Sequence, residues 1–202
     1  MDNRKTASTL PTWYELAISV GFELNKPDGE LAALLDEGIA RFPGYHSIYF
    51  AYARKFAPRW GGSYEAGDAF IQKVVAAKTN PEGEALYTRL YWLLDQTSGS
   101  PEDFFTVSLV SWRRMRTGFE LLMKEFPNSP WNLANFAIFA CRARDGATYT
   151  RLRPEVDAGQ ARLAGDDAYS MEVCDARFMK EADNRPAKPA DRLARNSGKS
   201  QT

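Results

Sequence analysis

The chain offers few residues for nucleophilic or metal-dependent chemistry. His46 is its only histidine, and Cys141 and Cys174 are its only cysteines. A Ser-His-Asp or Cys-His site would have to use His46 as its base. This residue stands in a turn just before a predicted helix, where a polar surface role is ordinary. One histidine and two cysteines far apart in the sequence do not have the spacing of zinc ligands. We therefore expect no catalytic residue and no metal site.

Phosphate-binding and acid–base motifs are equally weak. No GxxxxGK[ST] sequence is present, and Gly61-Gly62 lacks the preceding strand that a dinucleotide fingerprint requires, so we expect no cofactor. An enzyme of hydrolase type would need carboxylates to converge with His46 or Arg116 in one pocket, and this is the alternative to a binding function. The carboxylates instead fall mostly at predicted helix starts, where anions favour the helix dipole. They are Asp36-Glu37, Glu82/Glu84, Glu102-Asp103 and Asp166-Asp167.

Arginine and aromatic side chains are better candidates, because they could bind another protein. Arg116 lies on the apolar stripe of a predicted helix, and an unpaired buried charge is expensive. It should therefore either pair with an internal carboxylate or line a groove that receives one from another protein. Trp60 either fills the gap between helices at the Gly-Gly turn or anchors an interface, since Trp, Tyr and Arg dominate binding hot spots. The candidate partner-binding residues are Tyr45, Tyr49, Tyr52, Arg54, Arg59, Trp60 and Arg116.

The overall charge argues against nucleic acid and membranes as partners. Twenty-six basic and twenty-six acidic residues cancel, which leaves no electrostatic attraction for a phosphate backbone or an anionic surface. Arg113 and Arg114 precede Arg116, but a solvated helix face explains them better than phosphate binding does. No window approaches the ~20 apolar residues of a membrane span, and the first residues contain no signal-peptide pattern. Two cysteines in apolar segments are typical of buried thiols in a reducing compartment, so we predict a cytoplasmic protein.

Nine helices are predicted to position these residues. With 44% apolar residues among 202, the chain can supply a core, and no strand pattern stands out. Residues 1–10 are predicted to be a flexible N-terminus, residues 11–183 a single helical-repeat domain and residues 184–202 a disordered tail. The approximate helix bounds are 11–24, 29–41, 47–57, 64–78, 82–96, 101–126, 131–142, 148–163 and 168–182.

Pro154 should kink or divide the eighth predicted helix. The first and the sixth predicted helices each carry a long apolar stripe. The stripe of the first helix is Trp13, Leu16, Ala17, Val20 and Leu24. The stripe of the sixth helix is Phe105, Leu109, Trp112, Arg116, Phe119, Met123 and Phe126.

Two stretches of the sequence share one pattern. Residues 42–64 and 126–149 both begin with Phe-Pro and contain Phe-Ala in an aromatic or apolar helix. They end in Arg-Trp-Gly-Gly-Ser-Tyr and Arg-Asp-Gly-Ala-Thr-Tyr, 85 residues apart. The shared order favours a duplicated helix–turn–helix unit, which must stack on its neighbours to bury its apolar faces.

The sequence PRWGGS at residues 58–63 follows an aromatic helix, and this combination resembles a tetratricopeptide-like group of bacterial proteins of unknown function. The resemblance covers approximately residues 12–180, and it departs from the standard tetratricopeptide pattern because no 34-residue period persists. It implies a fold and a scaffold role but no activity. We predict an all-α, tetratricopeptide-like stack of about eight or nine antiparallel helices.

These observations favour a non-enzymatic protein–protein interaction module. The third and seventh helices would line a groove with aromatic anchors, and Arg116 or Arg54 would pair acidic groups of the partner. A narrower hypothesis is an immunity or adaptor protein that binds a bacterial toxin or effector. Nucleic-acid binding would require Arg113 and Arg114 to share one face with Arg151 and Arg153. The sequence does not predict the oligomeric state.

Overall fold

The computed structural model describes residues 4–77, 82–98, 103–156 and 171–183. All regular structure within these ranges is helical, and nine of its α-helices have seven or more residues. Three 3₁₀ turns accompany them, at Arg54–Phe56, Pro58–Trp60 and Arg153–Glu155. The α-helices are α1 (Arg4–Ala7), α2 (Pro11–Glu23), α3 (Asp28–Arg41), α4 (His46–Ala53), α5 (Tyr64–Val75), α6 (Glu84–Ser98), α7 (Phe104–Val107), α8 (Trp112–Glu125), α9 (Pro130–Arg142), α10 (Gly146–Leu152) and α11 (Met171–Asp183).

The chain divides into two compact units, Met1–Asn132 and Leu133–Thr202. In the first unit α2, α3 and α4 contact one another, and α6 contacts α4, α5 and α8. The central helix α6 is therefore enclosed, and it buries Leu86, Leu90 and Leu94 almost completely. Among the described helices, none combines the length and the apolar character that crossing a bilayer requires.

Helix α2 buries a different face from the predicted one. Its enclosed residues are Tyr14, Ile18 and Gly21, whereas Leu16 and Val20 are exposed. Gly21 explains why this face is the buried one. A Cβ at position 21 would overlap a methyl group of Leu31, so only a glycine lets α2 and α3 approach this closely. On the same buried face, the Tyr14 hydroxyl is satisfied by donating to a carboxylate of α3.

The predicted sixth helix is two helices, α7 and α8, joined by residues 108–111. Ser108 has extended backbone angles (φ −94°, ψ 164°), and its hydroxyl donates to the carbonyl of Phe104 at 2.6 Å, which ends α7. The backbone N–H of Ser111 then donates to the hydroxyl of Tyr87 at 2.8 Å. Because the helix restarts at residue 112, the buried face of α8 is Met115, Gly118, Phe119 and Leu122.

The second unit contains a disulfide bond that the sequence analysis did not predict. Cys141 of α9 and Cys174 of α11 are bonded, with their Cα atoms 5.8 Å apart, and both are fully buried. The prediction of two free buried thiols is therefore wrong, since the fold brings two distant cysteines together. This pairing removes the argument for a reducing compartment. The structure therefore assigns no cellular compartment to the protein, and the cytoplasmic location stays a prediction.

A polar network lies on the α11 side of the same unit. The Asp175 carboxylate accepts hydrogen bonds from Arg153 (Nε at 2.8 Å, Nη2 at 2.9 Å) and from the Tyr149 hydroxyl at 2.7 Å. Burial, together with the Asp175 carboxylate, raises the pKa of Tyr149 above its ordinary value. Pro154 ends helix α10 at Leu152, as the sequence predicts, and the chain continues into a 3₁₀ turn.

Several predicted features fall on residues outside the described ranges. These are the N-cap at Ser100, the continuation of the eighth helix to 163, the cap at Asp166-Asp167 and the tail 184–202. Within the described residues, Asp103 caps α7 by accepting from the backbone N–H of Phe105 at 3.2 Å. Residues 4–7 of the predicted flexible N-terminus form the single turn α1.

The two matching stretches share one local conformation. Phe42 (φ −135°, ψ 63°) and Phe126 (φ −124°, ψ 67°) each end a helix, and each donates its backbone N–H to the carbonyl four residues earlier. They differ downstream, because the left-handed residue is Gly61 in the first stretch and Arg144 in the second. The stacked-repeat arrangement therefore stays a prediction with local support at the Phe-Pro corner.

Candidate functional site

The strongest candidate site is the loop of residues 54–62, which joins α4 to α5 and is called here the 54–62 loop. Gly61 takes a left-handed conformation (φ 82°), which a residue without a Cβ adopts freely. The backbone N–H of Gly62 donates to the carbonyl of Ala57 at 3.3 Å. A Cβ at Gly62 would overlap the backbone of Phe56. The loop is thus closed on itself by its own backbone, so the side chains it carries are presented from a fixed frame.

Trp60 lies on the outside of this loop. Its side chain is 52% exposed, although its backbone N–H is fixed by the carbonyl of Ala57 at 2.9 Å. It does not fill the gap between helices, because Phe56 does so: the Phe56 ring stacks on Phe70, with centroids 5.3 Å apart. Trp60 therefore does not have the gap-filling role that the sequence analysis considered for it.

Two arginines accompany the exposed indole. The Arg59 guanidinium lies 5.2 Å from the centroid of the Trp60 ring, and Arg54 is exposed at the start of the loop. Neither arginine forms an ion pair within the described residues. Lys55 between them is different, because its ammonium is 2.8 Å from the Asp28 carboxylate. The loop therefore presents an aromatic ring and two positive charges to solvent.

The three tyrosines of the α4 region do not form a single binding face. Tyr49 is buried, and its hydroxyl donates to the carbonyl of Pro43 at 3.0 Å. Burial raises the pKa of Tyr49. Tyr49 is therefore inaccessible to a partner in this structure. Tyr45 and Tyr52 are partly exposed, and the Tyr45 hydroxyl donates to the Glu15 carboxylate at 3.0 Å.

Tyr52 belongs to the aromatic support of the 54–62 loop. Its ring lies 5.3 Å from the ring of Phe70, and the ammonium of Lys55 lies 4.8 Å from its centroid. It therefore contributes to the packing beneath the loop.

Arg116 is not on the buried face of α8. It is exposed, with its guanidinium 3.9 Å from Glu120, because the break at residues 108–111 leaves Met115, not residue 116, in the core. A closer and less exposed ion pair on the same helix is made by Arg114. Its Nε donates to the Glu84 carboxylate at 2.9 Å, and its guanidinium lies 4.0 Å from the Tyr87 ring centroid.

A second polar cluster surrounds His46. Its Nε2 lies against the Glu82 carboxylate, which also lies 3.7 Å from Nε of Arg89. Nε2 of His46 and Nε of Arg89 are both enclosed, and neither makes a hydrogen bond of good geometry within the described residues. Sequence reasoning named His46 and Glu82 but missed Arg89, which carries no motif.

Glu82 also lines an open groove of about 570 Å³, together with Ala85, Leu121, Lys124 and Glu125. None of these lining residues carries a hydroxyl or a thiol, so nucleophilic chemistry in the groove would have to use the Lys124 amine or a carboxylate. No group of three potential metal ligands is found among the described residues. The cluster places an imidazole beside a carboxylate that also lies near an arginine, and the adjoining groove is lined by apolar and charged side chains.

A comparison with protein families, with curated proteins and with solved structures finds no match for this chain.

Proposed function

We propose that this chain is a non-enzymatic protein-interaction module that binds an acidic surface of another protein through the 54–62 loop. The observation that carries the proposal is Trp60, half exposed on a backbone that its own hydrogen bonds hold in place. A large aromatic side chain presented from a fixed frame loses little conformational entropy on binding. Such residues are the common anchors of protein interfaces.

The two arginines define the chemistry of the partner. Arg54 and Arg59 have no carboxylate partner within the described residues, so each can form a charge-assisted hydrogen bond with an acidic group of another protein. Arg59 is already stacked beside Trp60, which brings one cation and the indole to the same contact. The partner surface therefore combines an apolar pocket for the indole with Asp or Glu at its rim.

Narrower hypotheses rest on the sequence alone. An immunity or adaptor protein that binds a toxin or effector would suit a small helical scaffold, and it predicts a toxin gene beside the gene for this chain. The tetratricopeptide-like stack is a proposal supported by the PRWGGS resemblance and by the matching Phe42 and Phe126 corners. A cytoplasmic location is likewise a proposal, and it requires that the Cys141–Cys174 bond form there.

Replacing Trp60 with Ala tests the proposed anchor. The wild-type chain, immobilised and exposed to a lysate of its native host, should capture a protein that Trp60→Ala does not retain. For that protein, the Kd should rise by about thirtyfold or more, the loss expected for an interface hot spot. Isothermal titration calorimetry gives the Kd for each variant. Leu109→Ala, at a residue exposed to a similar extent away from the loop, is the matched control and should bind as wild type does.

Two outcomes would contradict the proposal. One is a captured protein whose Kd is the same for Trp60→Ala and wild type. The other is that wild type captures nothing that Trp60→Ala fails to capture. Circular dichroism of each variant establishes that the substitution leaves the helical fold intact, as expected for an exposed side chain.

The alternative is a hydrolase-like enzyme, and the observation in its favour is the cluster of His46, Glu82 and Arg89 beside the 570 Å³ groove. In such a site His46 would act as general base toward a water molecule, with Glu82 orienting the imidazole. A panel of ester, phosphoester and peptide substrates tests this function. Hydrolysis that is lost in His46→Gln would support the alternative, and equal background rates for both proteins would exclude it for those substrates.

A further inference from the structure

The 54–62 loop carries one cation that it does not present to solvent. The side chain of Lys55 is only 15% exposed, and its ammonium lies 2.8 Å from the Asp28 carboxylate in the first turn of α3. The same ammonium lies 4.8 Å from the ring centroid of Tyr52 and 5.3 Å from that of Phe56. The amine is thus held by two aromatic rings and a carboxylate, and its long side chain connects the loop to a helix that the loop does not adjoin in sequence.

The backbone of Lys55 supports the turn that presents Trp60. A Cβ on Gly62 would overlap the Lys55 carbonyl oxygen and the backbone of Phe56, so the end of the loop rests directly on its beginning. The backbone N–H groups of Trp60 and Gly62 both donate to the carbonyl of Ala57, at 2.9 Å and 3.3 Å. A contact that fixes the start of the loop therefore also fixes the frame that carries the indole.

Two side chains attach the start of the loop to separate helices. The Phe56 ring stacks on Phe70 of α5, and the Lys55 ammonium pairs with Asp28 of α3. The two attachments are linked, because that ammonium also lies against the Phe56 ring. Without the carboxylate, an enclosed ammonium would face only aromatic rings. Because an enclosed charge without a counter-charge is costly, the lysine side chain would then turn out into solvent and release the loop from α3.

We propose that Lys55 and Asp28 are positioning residues for Trp60, and that their ion pair holds the 54–62 loop in the conformation that presents the indole to a partner. This inference rests on the function proposed above, and it adds two residues that act without contacting the partner. A loop that is already ordered does not have to be ordered on binding, so the pair increases affinity by preorganisation. Because Asp28 neutralises Lys55, this lysine acts through the loop conformation and not by attracting an acidic surface.

Hydrogen exchange of backbone amides in the free chain tests this role without a partner. Lys55→Met keeps a long side chain and removes its charge. It should make exchange of the Trp60 and Gly62 amides about fivefold faster, the effect expected for loss of one ion pair that holds a local closed state. Asp28→Asn should have the same effect. The double variant should exchange no faster than either single variant, since both substitutions remove the same contact.

Three controls separate the positioning role from a general loss of stability. Lys55→Arg keeps the charge and the contacts with the rings, so its loop amides should exchange as in wild type. The Phe126 amide, which ends α8 by donating to the carbonyl four residues earlier, reports local opening elsewhere in the unit and should not respond to Lys55→Met. Lys26→Met removes an ion pair with Glu30 that lies outside the loop, and it should leave the loop amides unchanged.

Binding shows whether the ordered loop matters to the partner. For a protein captured as described above, the Kd of Lys55→Met should rise about threefold or more, because fewer chains hold the loop ready to bind. Lys55→Arg should bind as wild type does. Unchanged exchange of the loop amides in Lys55→Met overturns the proposal, and so does faster exchange with an unchanged Kd. The exchange result needs no partner, so its failure is distinct from failure of the proposed function, which a Kd unaffected by Trp60→Ala would show.

Discussion

Reduction of the Cys141–Cys174 disulfide is expected to lower the free energy of unfolding of the second unit by about 3–4 kcal/mol. The bond closes a loop with a sequence separation of 33 residues, and chain-entropy arguments assign about this stabilisation to a loop of that length. It links α9 to α11, which is otherwise attached to α10 and the following turn through Asp175. Urea unfolding with and without reductant measures the difference, as a fall in the midpoint at an unchanged slope.

Two controls separate the bond from other effects of the reductant. The double variant Cys141→Ala/Cys174→Ala should already be destabilised, and reductant should not change its unfolding midpoint. Hydrogen exchange of the α10 and α11 amides should become roughly a hundredfold faster on reduction. These amides exchange when the unit opens, and the free energy of opening should fall by about 3 kcal/mol. Two titratable thiols in denatured, unreduced protein, or an unchanged midpoint on reduction, would contradict the pairing.

Replacing Gly118 with Ala is expected to destabilise the first unit by about 2 kcal/mol. A Cβ at this position would overlap the carbonyl oxygen of Glu84 and the hydroxyl of Thr88. Backbone on α6 cannot move aside as a flexible side chain would, and the Thr88 hydroxyl is fixed because it donates to the carbonyl of Met115 at 2.9 Å. The helices α6 and α8 must therefore separate, which loosens the enclosed core around α6. Thermal unfolding of the pure variant measures the loss.

The matched control is Gly29→Ala, because Gly29 is also helical but a Cβ there meets nothing within 4 Å. Alanine reduces the conformational entropy of the unfolded chain, so this variant should be unchanged or gain up to about 1 kcal/mol. An equal effect of the two substitutions would show that α6 and α8 do not pack through Gly118. A melting temperature of Gly118→Ala at or above that of wild type would contradict the packing directly.

Helix positions could be predicted from the sequence because their ends are set locally. Pro11 is the first residue of α2, where proline costs no hydrogen bond, and Pro154 lies two residues after Leu152, the last residue of α10. Ser63 caps α5 by accepting the backbone N–H of Ala66 at 3.2 Å. Such signals depend only on a few neighbouring residues, so they indicate helix ends independently of the tertiary fold.

Buried faces were harder to predict, because close helix contacts decide them. On α2 the exposed aliphatic stripe is more hydrophobic than the face of Tyr14, Ile18 and Gly21. The face with Gly21 is nevertheless the buried one, because the glycine allows α3 to pack closely against it. The same kind of contact, at Gly118, helps to determine which side of α8 faces inward. A single sequence does not reveal which glycine will meet a backbone.

The candidate site was predicted only in part, for two different reasons. Arg54, Arg59 and Trp60 are accessible because the loop closes through Gly61 and Gly62, a turn that the sequence does indicate. Arg116 was placed on a buried stripe because one continuous helix was predicted; the chain breaks at Ser108, and α8 buries Met115 and Phe119 while Arg116 is exposed. The cysteine pairing depends on tertiary folding, so spacing alone carries no information about it.

The proposed interaction function is tested most directly by observing Trp60 during binding. The chain labelled with 5-fluorotryptophan contains five reporters, and the signal of Trp60 is identified by its absence from Trp60→Phe. On titration with the captured partner, its ¹⁹F resonance should shift and lose its solvent isotope effect, while that of the buried Trp92 should not change. Saturating binding that leaves the Trp60 resonance unaltered would contradict the account.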